Sequence, residues 1–574
     1  MVKNLLLTIS LTLLFNLTWS QKVEITRPDG KRLSAEDIDR TVQQLIDTAE
    51  VTGLCIGIIQ NNQPAYVKTY GYKNKTLNKF NSINTSFYAA SFAKSLFAYM
   101  VMQLVDQRII DLDKPLFHYL AKPLPEYENY KDLASDDRWK LITARHCLSH
   151  TTGFPNWRFL NPRDNQKLEI FFTPGSRYAY SGEGIYLLQM VIEVITGKDL
   201  ESLAQSQVFT PFGMTMTSFV WQPAFASDYA NGHNFEEDTF AVRRRGQASA
   251  AGSMQTTIND FTNFMSAVLQ RKGISETSWK EMFSPQIGIY TKRQFPSLNN
   301  DTTSQNKAIN LSYGLGWGLF NTNYGRAFFK EGHSDDGWEH YLIAIPDKKT
   351  SLIIMSNSLN GESIYYELVE KLTGITIPWE WEGYTPYRGF VKLPTGLLEQ
   401  YAGDYTGKIK VRLFVENGRL KAESPSEGLP KTGLYATDET KFFMKLIPVD
   451  VEFVKNKDGK VEKMKVNDEG EHYELKKVVA AATAEVKLSP SLISAYKGKY
   501  QLKGESRTLT VELKNNELLL NLPGQGKVQL AFYSNTQFKV KSAVVDIKGE
   551  FISENGKVTK MIIEQQGRFE WTKQ

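Results

Sequence analysis

The residues best placed to do chemistry are Ser91-Phe92-Ala93-Lys94. A serine and a lysine three positions apart share one face of a helix, so their side chains can meet. The preceding Phe87-Tyr88-Ala89-Ala90 reads as extended, and a long apolar helix follows over Ser91 to Gln107. A serine at a helix start lies beside free backbone N–H groups and the positive end of the dipole. Both favour a developing alkoxide, and one N–H can serve as an oxyanion donor. A lysine surrounded by apolar side chains gives up its proton more readily and can relay the serine's. Taken alone, the four residues also fit a plain N-cap serine followed by an exposed lysine.

Other chemistries find little support. The chain has no Gly-x-Ser-x-Gly elbow, no Walker A loop and no His-Glu-x-x-His. Of its seven histidines, His146 and His150 stand at i, i+4, but no carboxylate lies between them to act as a base, so no metal site is expected. Its two cysteines are too few for a disulfide framework or a Cys-rich zinc site. Cys55, in a strand-like run, and Cys147, in a helix-like one, read as buried thiols. Sixty-eight basic against 63 acidic residues leave a net charge of +5, with no concentrated basic run, which argues against a nucleic-acid partner. No cofactor is expected.

Apolar spacing sets out the elements that must position Ser91 and Lys94. Ala35 to Ala49 has the period of a helix; Leu54 to Ile59 and Ala65 to Gly71 read as a hairpin across Asn61-Asn62-Gln63-Pro64. Helix signals follow at Tyr186 to Thr196 and Ile258 to Leu269, then strand-like patterns at Tyr313 to Phe320, Tyr341 to Ile345 and Thr350 to Ser356. Strands at both ends around a helix-rich middle predict an α+β unit whose sheet draws on both termini. Near residue 380 the character changes to short alternating strands with Asn-Gly and Asp-Gly turns, the hairpin signals. This tail repeats itself: Tyr401-Ala402-Gly403-Asp404-Tyr405 is echoed by Tyr496-Lys497-Gly498-Lys499-Tyr500, and Phe453 and Met464 by Phe551 and Met561. Preserved order at a slightly drifting offset is the mark of a duplicated all-β module. Val478 to Val486 is the expected linker between the copies. At the other end, Lys3, the apolar run Leu5 to Leu14 and Thr18-Trp19-Ser20 read as a secretory signal peptide with cleavage before Gln21. The expected division is a signal peptide at 1–20, a catalytic domain at 21–380 and β-modules at 390–478 and 488–574. Nothing downstream of the signal is long and apolar enough to span a membrane, so the protein is expected to be exported, periplasmic or secreted.

Four blocks in order strengthen the serine–lysine pair: Ser91-Phe92-Ala93-Lys94; Ile142 to Gly153, containing His150-Thr151-Thr152-Gly153; Pro174-Gly175-Ser176-Arg177-Tyr178-Ala179-Tyr180-Ser181-Gly182; and Gly332-His333-Ser334-Asp335. The pattern resembles the penicillin-recognising serine hydrolases, specifically the class C β-lactamase-like branch of D-Ala-D-Ala carboxypeptidases, D-aminopeptidases and esterases, over roughly residues 35 to 375. The resemblance implies an antiparallel sheet flanked by helices with a helical subdomain, a β-lactamase/transpeptidase-like α+β fold. The tail looks like two small lipocalin-like barrel modules of the kind appended to such hydrolases. It also implies that Ser91 is the nucleophile, Lys94 its proton-relay partner and Tyr180 a general base and acid. A phenol of pKa near ~10 needs neighbouring cations for such work, here expected to be Lys94 and His333. His333 matches the first position of the third motif (Lys-Thr-Gly or His-x-Gly), with Ser334 beside it and a second oxyanion donor near Asp336. Two positions depart from the pattern. Gly182 stands where many members carry an asparagine that bonds the acyl-side amide, and Asp335 replaces the glycine of the third motif.

These departures point away from a strict β-lactam ligand. The expected activity is hydrolysis of an ester or a peptide-like amide through an acyl-enzyme, without metal. The partner is a small-molecule or peptide substrate such as a cell-wall fragment, and the oligomeric state is left open. The alternatives are a catalytically weak binding or penicillin-sensor protein that keeps the fold, or a true β-lactamase.

Overall fold

The computed structural model describes residues 24–574 apart from 479–484, 515–516, 523–525, 542–546 and 565–566. The expected signal peptide and most of the linker at 478–486 lie outside the described residues. Helix α1 (Ala35–Ala49) opens on a capping box in which the Ser34 hydroxyl accepts from Asp37 N–H and the Asp37 carboxylate accepts from Ser34 N–H. Its buried stripe is Ile38, Val42, Leu45, Ile46 and Ala49. The hairpin follows as β1 (Gly53–Gln60) and β2 (Gln63–Asn74), joined through Asn61 and Asn62, both at left-handed φ (54° and 61°) as a tight two-residue turn requires.

The remaining strands of the main sheet are β3 (Lys79–Phe80), β4 (Ile287–Gly288), β5 (Ser312–Tyr313), β6 (Gly318–Thr322), β7 (Gly325–Ser334), β8 (Trp338–Ile345) and β9 (Thr350–Ser356). Their order across the sheet is β3-β2-β1-β9-β8-β7-β6-β5-β4. The N-terminal hairpin therefore joins the C-terminal strands at β1 and β9, with Ile56 opposite Ile354, and every pairing in the sheet is antiparallel. The near-continuous apolar run of β1 is explained by burial on both faces. Leu54, Ile56 and Ile58 pack with α1 and with α5 (Tyr365–Thr373), while Cys55 and Ile59 pack with α2 (Phe92–Asp106) and α4 (Ile258–Leu269). Between α2 and α4 lies the helical half, whose longest helix is α3 (Gly182–Thr196).

Two strands depart from expectation. The run Tyr313 to Phe320 splits into β5 and β6 because Gly316 turns at φ 87°, where a Cβ would lie 2.3 Å from the Ala98 methyl of α2. Strand β7 was hidden in the sequence by the charged pair Lys330-Glu331. It pairs with β8 from Phe328 to Ser334 but with β6 only from Gly325 to Phe329, so among the described residues one edge from Lys330 to Ser334 carries no paired strand.

The tail forms two closed antiparallel barrels of eight strands, one from Gly403–Gly407 to Glu471–Lys477, the other from Gly498–Leu502 to Arg568–Lys573. A short helix leads into each: α6 (Thr395–Tyr401) and α7 (Pro490–Tyr496). By compactness the chain divides into one unit of the catalytic domain with the first barrel through Leu475, and another of the second barrel with Gly403–Gly407.

Candidate active site around Ser91

The position of Ser91, the candidate nucleophile, is set by an unusual backbone turn. Ala90 sits at φ 46°, left-handed for a residue with a Cβ, a conformation that costs about 1 kcal/mol or more and persists only where packing enforces it. Here Ala89 N–H donates to the Met254 carbonyl at 2.8 Å and Tyr88 donates to the Gly252 carbonyl at 2.7 Å. The turn delivers Ser91 to the N-cap of α2. The N-cap serines Ser34, Ser181, Ser275 and Ser489 all accept a helix N–H, but Ser91 makes no cap bond. Its Oγ lies 2.9 Å from Lys94 Nζ instead, and the residue is only half-buried, so a substrate can reach it. This removes the reading of a plain N-cap.

Lys94 is buried and donates to the Ala251 carbonyl at 2.5 Å. Burial first, and the Lys330 charge second, hold its pKa well below the ordinary lysine range. An amine driven toward the neutral form, with one N–H committed to Ala251, can offer a lone pair to the serine proton.

Tyr180 reaches the site from the segment before α3, fixed by Ala179 N–H donating to the His150 carbonyl (2.8 Å) and by the His150 ring 4.2 Å from its own. Its phenol is hydrogen-bonded to Ser91 and to Lys330, whose Nζ lies 3.3 Å away. Burial raises the Tyr180 pKa and outweighs the lowering by Lys330. The expected phenolate held by Lys94 and His333 is therefore replaced by a neutral phenol beside Lys330. Burial opposes the charge on Lys330 too, but Glu331, 3.1 Å from its Nζ, and Tyr180 more than compensate and raise its pKa. The site thus holds two buried lysines driven apart, one toward the neutral form and one fixed as a cation, the pattern that separates base from electrostatic stabiliser.

Lys330 was missed in the sequence. The signal was there: Lys330-Glu331-Gly332 is itself a Lys-x-Gly, three residues before His333. A Cβ on Gly332 would lie 3.2 Å from the Ala89 carbonyl, so the glycine lets β7 run close to the Ser91 turn. His333 faces elsewhere. Its Nδ1 is 2.7 Å from Glu339 and its Nε2 3.1 Å from the fully exposed Asp335, and Glu339 chiefly pushes its pKa up to about 11. Ser334 donates to Asp336 within the β7–β8 turn, and the buried Asp336 carboxylate lies 3.3 Å from Arg243. At Gly332 the edge of β7 comes close to the Ala89 carbonyl, two residues before Ser91.

Gly182 has a steric reason. A Cβ there would fall 2.4 Å from the Trp157 ring, so the indole occupies the space into which an asparagine would project. His333, Glu339 and Glu362 have donor atoms within 4.8 Å of one another and could hold a metal ion, but the His333 imidazolium already supplies a positive charge between the carboxylates. His146 accepts from Thr143 N–H and His150 from Ser181 N–H, so the two do not converge on a common point.

The β-lactamase family model matches residues 38–368, more than half of the chain. The chain belongs to the β-lactamase family. The family is one of serine hydrolases, and the Ser91–Lys94–Tyr180 cluster lies inside the matched span. A second model, a domain of unknown function (DUF3471), matches residues 482–574, the second barrel and its lead-in helix. Among family relatives, penicillin-binding protein 4* of Bacillus subtilis is 25% identical over 69% of this chain and 88% of its own. Unguisins hydrolase of Aspergillus violaceofuscus is 22% identical over 59% of this chain and 65% of its own. Esterase EstB of Burkholderia gladioli is 25% identical over 33% and 53%.

Proposed function

We propose that the protein is a serine hydrolase that forms an acyl-enzyme on Ser91 and cleaves an ester or a peptide-like amide. The observation that carries this reading is the 2.9 Å approach of Ser91 Oγ to a buried lysine held below its usual pKa. Lys94 takes the Ser91 proton as Oγ adds to the substrate carbonyl. The oxyanion meets the Ser91 N–H and an N–H from the unpaired edge of β7. The proton on Lys94 passes through Tyr180 to the departing alcohol or amine, with the Lys330 cation stabilising the charge that builds on the phenol. Water then enters, gives its proton back along the same path and releases the acid. No step needs a metal or a cofactor.

An ester, or an amide that does not depend on the missing asparagine contact, suits Gly182, and relatives named as an esterase and an unguisins hydrolase fit a hydrolase reading. A fluorophosphonate probe is expected to label the protein, and Ser91→Ala to abolish both labelling and turnover of p-nitrophenyl esters, D-amino-acid amides and nitrocefin. Labelling that persists in Ser91→Ala overturns the assignment. Acylation by penicillin without release would instead identify a sensor. We also propose export, on the pattern of residues 1–20; Edman sequencing of protein recovered outside the cytoplasm is expected to start at Gln21.

A further inference from the structure

Large aromatic side chains flank Lys94 and Tyr180, and several are turned to solvent. Trp157 lies against Gly182, with Lys94 Nζ 5.6 Å from its ring. Phe159 stacks beside it at 6.4 Å between centroids and 8° between planes, and Tyr186 of α3 joins at 5.4 Å. On another flank of Tyr180, the Phe295 ring is 5.4 Å away. Phe159 is 63% exposed and Phe295 43%. Single exposed aromatics need no explanation, but a cluster beside a reactive group marks a binding surface.

The Trp157–Phe159 wall is held in place. Arg158, between them in sequence, turns the other way and grips the buried Glu183 carboxylate with Nε at 3.0 Å and Nη2 at 2.8 Å. Glu183 also accepts from Arg158 N–H at 2.9 Å. Gly182 N–H donates to the Asn156 carbonyl at 3.0 Å and to its side chain at 3.1 Å. The segment 156–158 is thus tied to the start of α3, so its aromatic face exists before a ligand arrives, which lowers the ordering cost of binding.

We propose that Trp157, Phe159 and Phe295 form a subsite for a large planar apolar group attached to the scissile carbonyl, and that Gly182 is a specificity-determining residue because it makes room for the Trp157 indole. The inference rests on the hydrolase reading above and narrows its substrate class to esters or amides of aryl-bearing acids. Deleting one wall of an apolar pocket changes discrimination by the amount its lost contact contributes, of order 10-fold for one or two carbons and more for a ring.

The test compares p-nitrophenyl phenylacetate with p-nitrophenyl acetate, which share a leaving group, each corrected for uncatalysed hydrolysis. A kcat/KM ratio of about 10 or more is expected in the wild type. Trp157→Ala and the exposed Phe159→Ala should each lower that ratio several-fold. Gly182→Asn, which forces the indole aside, should lower it further. A ratio near one in the wild type, or one unchanged in both alanine variants, overturns the subsite. A second readout separates this from failure of the hydrolase reading. With Ser91→Ala, calorimetric titration should show phenylacetate binding at least about 10-fold tighter than acetate, with Trp157→Ala erasing the difference. If no ester is turned over and that preference is present, the subsite stands and the catalytic reading falls; if that preference is absent, the subsite falls.

Discussion

Two lysines within one hydrogen-bonded cluster are driven in opposite directions by what surrounds them. Lys94 is hydrogen-bonded only to a carbonyl and a hydroxyl, with the Lys330 cation nearby, so burial and that charge outweigh the opposing pull of Glu331 and drive its amine toward the neutral form. Lys330 is equally buried but has Glu331 at 3.1 Å, so it stays charged. Under the proposed mechanism, activity requires Lys94 unprotonated and Lys330 protonated, so the rate is expected to rise as pH passes the lowered Lys94 pKa and to fall only where Lys330 loses its proton. Glu331 raises the pKa of both lysines. Glu331→Gln is therefore expected to move both limbs of the pH profile of kcat/KM to lower pH, measured on any ester the enzyme turns over. An unmoved profile would show that Glu331 does not set these charges. Tyr180→Phe should lower kcat by roughly 10²-fold, the usual scale of positioned acid–base help. Lys330→Met and His333→Asn then separate the two candidates for the third motif. The first should lose roughly 10²-fold or more, as loss of an oriented charge does, and the second much less. The reverse ranking would restore the role expected for His333 from its sequence position.

At the scale of elements, the close approaches that build the site depend on a few glycines. Gly316 combines left-handed backbone with a neighbour that cannot yield, since the Ala98 methyl belongs to the buried helix α2 that carries Ser91 and Lys94. Gly316→Ala is expected to destabilise the catalytic domain by about 1–3 kcal/mol through overpacking and backbone strain. Urea denaturation would measure this, and an unchanged midpoint would mean that β5, β6 and α2 shift at no cost. The same elements show what the sequence could and could not reveal. Helix α1, the β1–β2 hairpin, α4 and β9 were readable because each buries an uninterrupted apolar face. Ser91 and Lys94 were readable because their spacing matches one helical turn. Strand β7 was obscured because its two buried charges satisfy each other only in three dimensions; a charged pair in sequence looks like a surface loop. Lys330 escaped notice for the same reason: its Lys-x-Gly spacing is short and common, and its buried pairing with Glu331 and Tyr180 exists only in the fold. The Trp157–Gly182 contact was likewise illegible, joining residues 25 apart through shape alone.

At the scale of the whole molecule, the two barrels repeat each other in detail. Tyr401 stacks on Phe453 at 4.2 Å and Tyr496 on Phe551 at 4.0 Å; each tyrosine hydroxyl donates to a loop carbonyl, of Glu439 and Asn535 respectively. Gly403 and Gly498 sit at φ 139° and 147°, and a Cβ at either would meet a lysine stem, Lys477 or Lys573, at 2.9 and 2.8 Å. The equivalences cover lead-in helix, core and closing strand, which is what duplication of a whole module produces and chance similarity of β-sequences does not. The first barrel shares a compact unit with the catalytic domain, where Tyr435 donates to the Phe235 carbonyl at 3.0 Å and Gly433 N–H to Glu236 at 2.6 Å. Glu50, at the end of α1, meets Arg419 at 2.7 Å and Lys445 at 3.2 Å of that barrel. Burial raises the Glu50 pKa, but the two cations more than reverse this and hold it below the usual carboxylate range. The sign follows from linkage: this stabilisation is present above the unfolded glutamate pKa and is lost as pH falls through the lower folded value. Glu50→Gln leaves Arg419 and Lys445 facing each other without a counter-charge, at a cost of about 1–3 kcal/mol for a pair that is not fully buried. The variant should therefore separate the unfolding of the first barrel from that of the catalytic domain, seen as a second calorimetric transition and as faster proteolysis in the stretch 383–394. It should also lose the acid-sensitive part of the wild-type stability that disappears as pH falls through the lowered Glu50 pKa. A single transition with wild-type acid sensitivity would mean that the barrel is held by its apolar and backbone contacts, with Glu50 incidental.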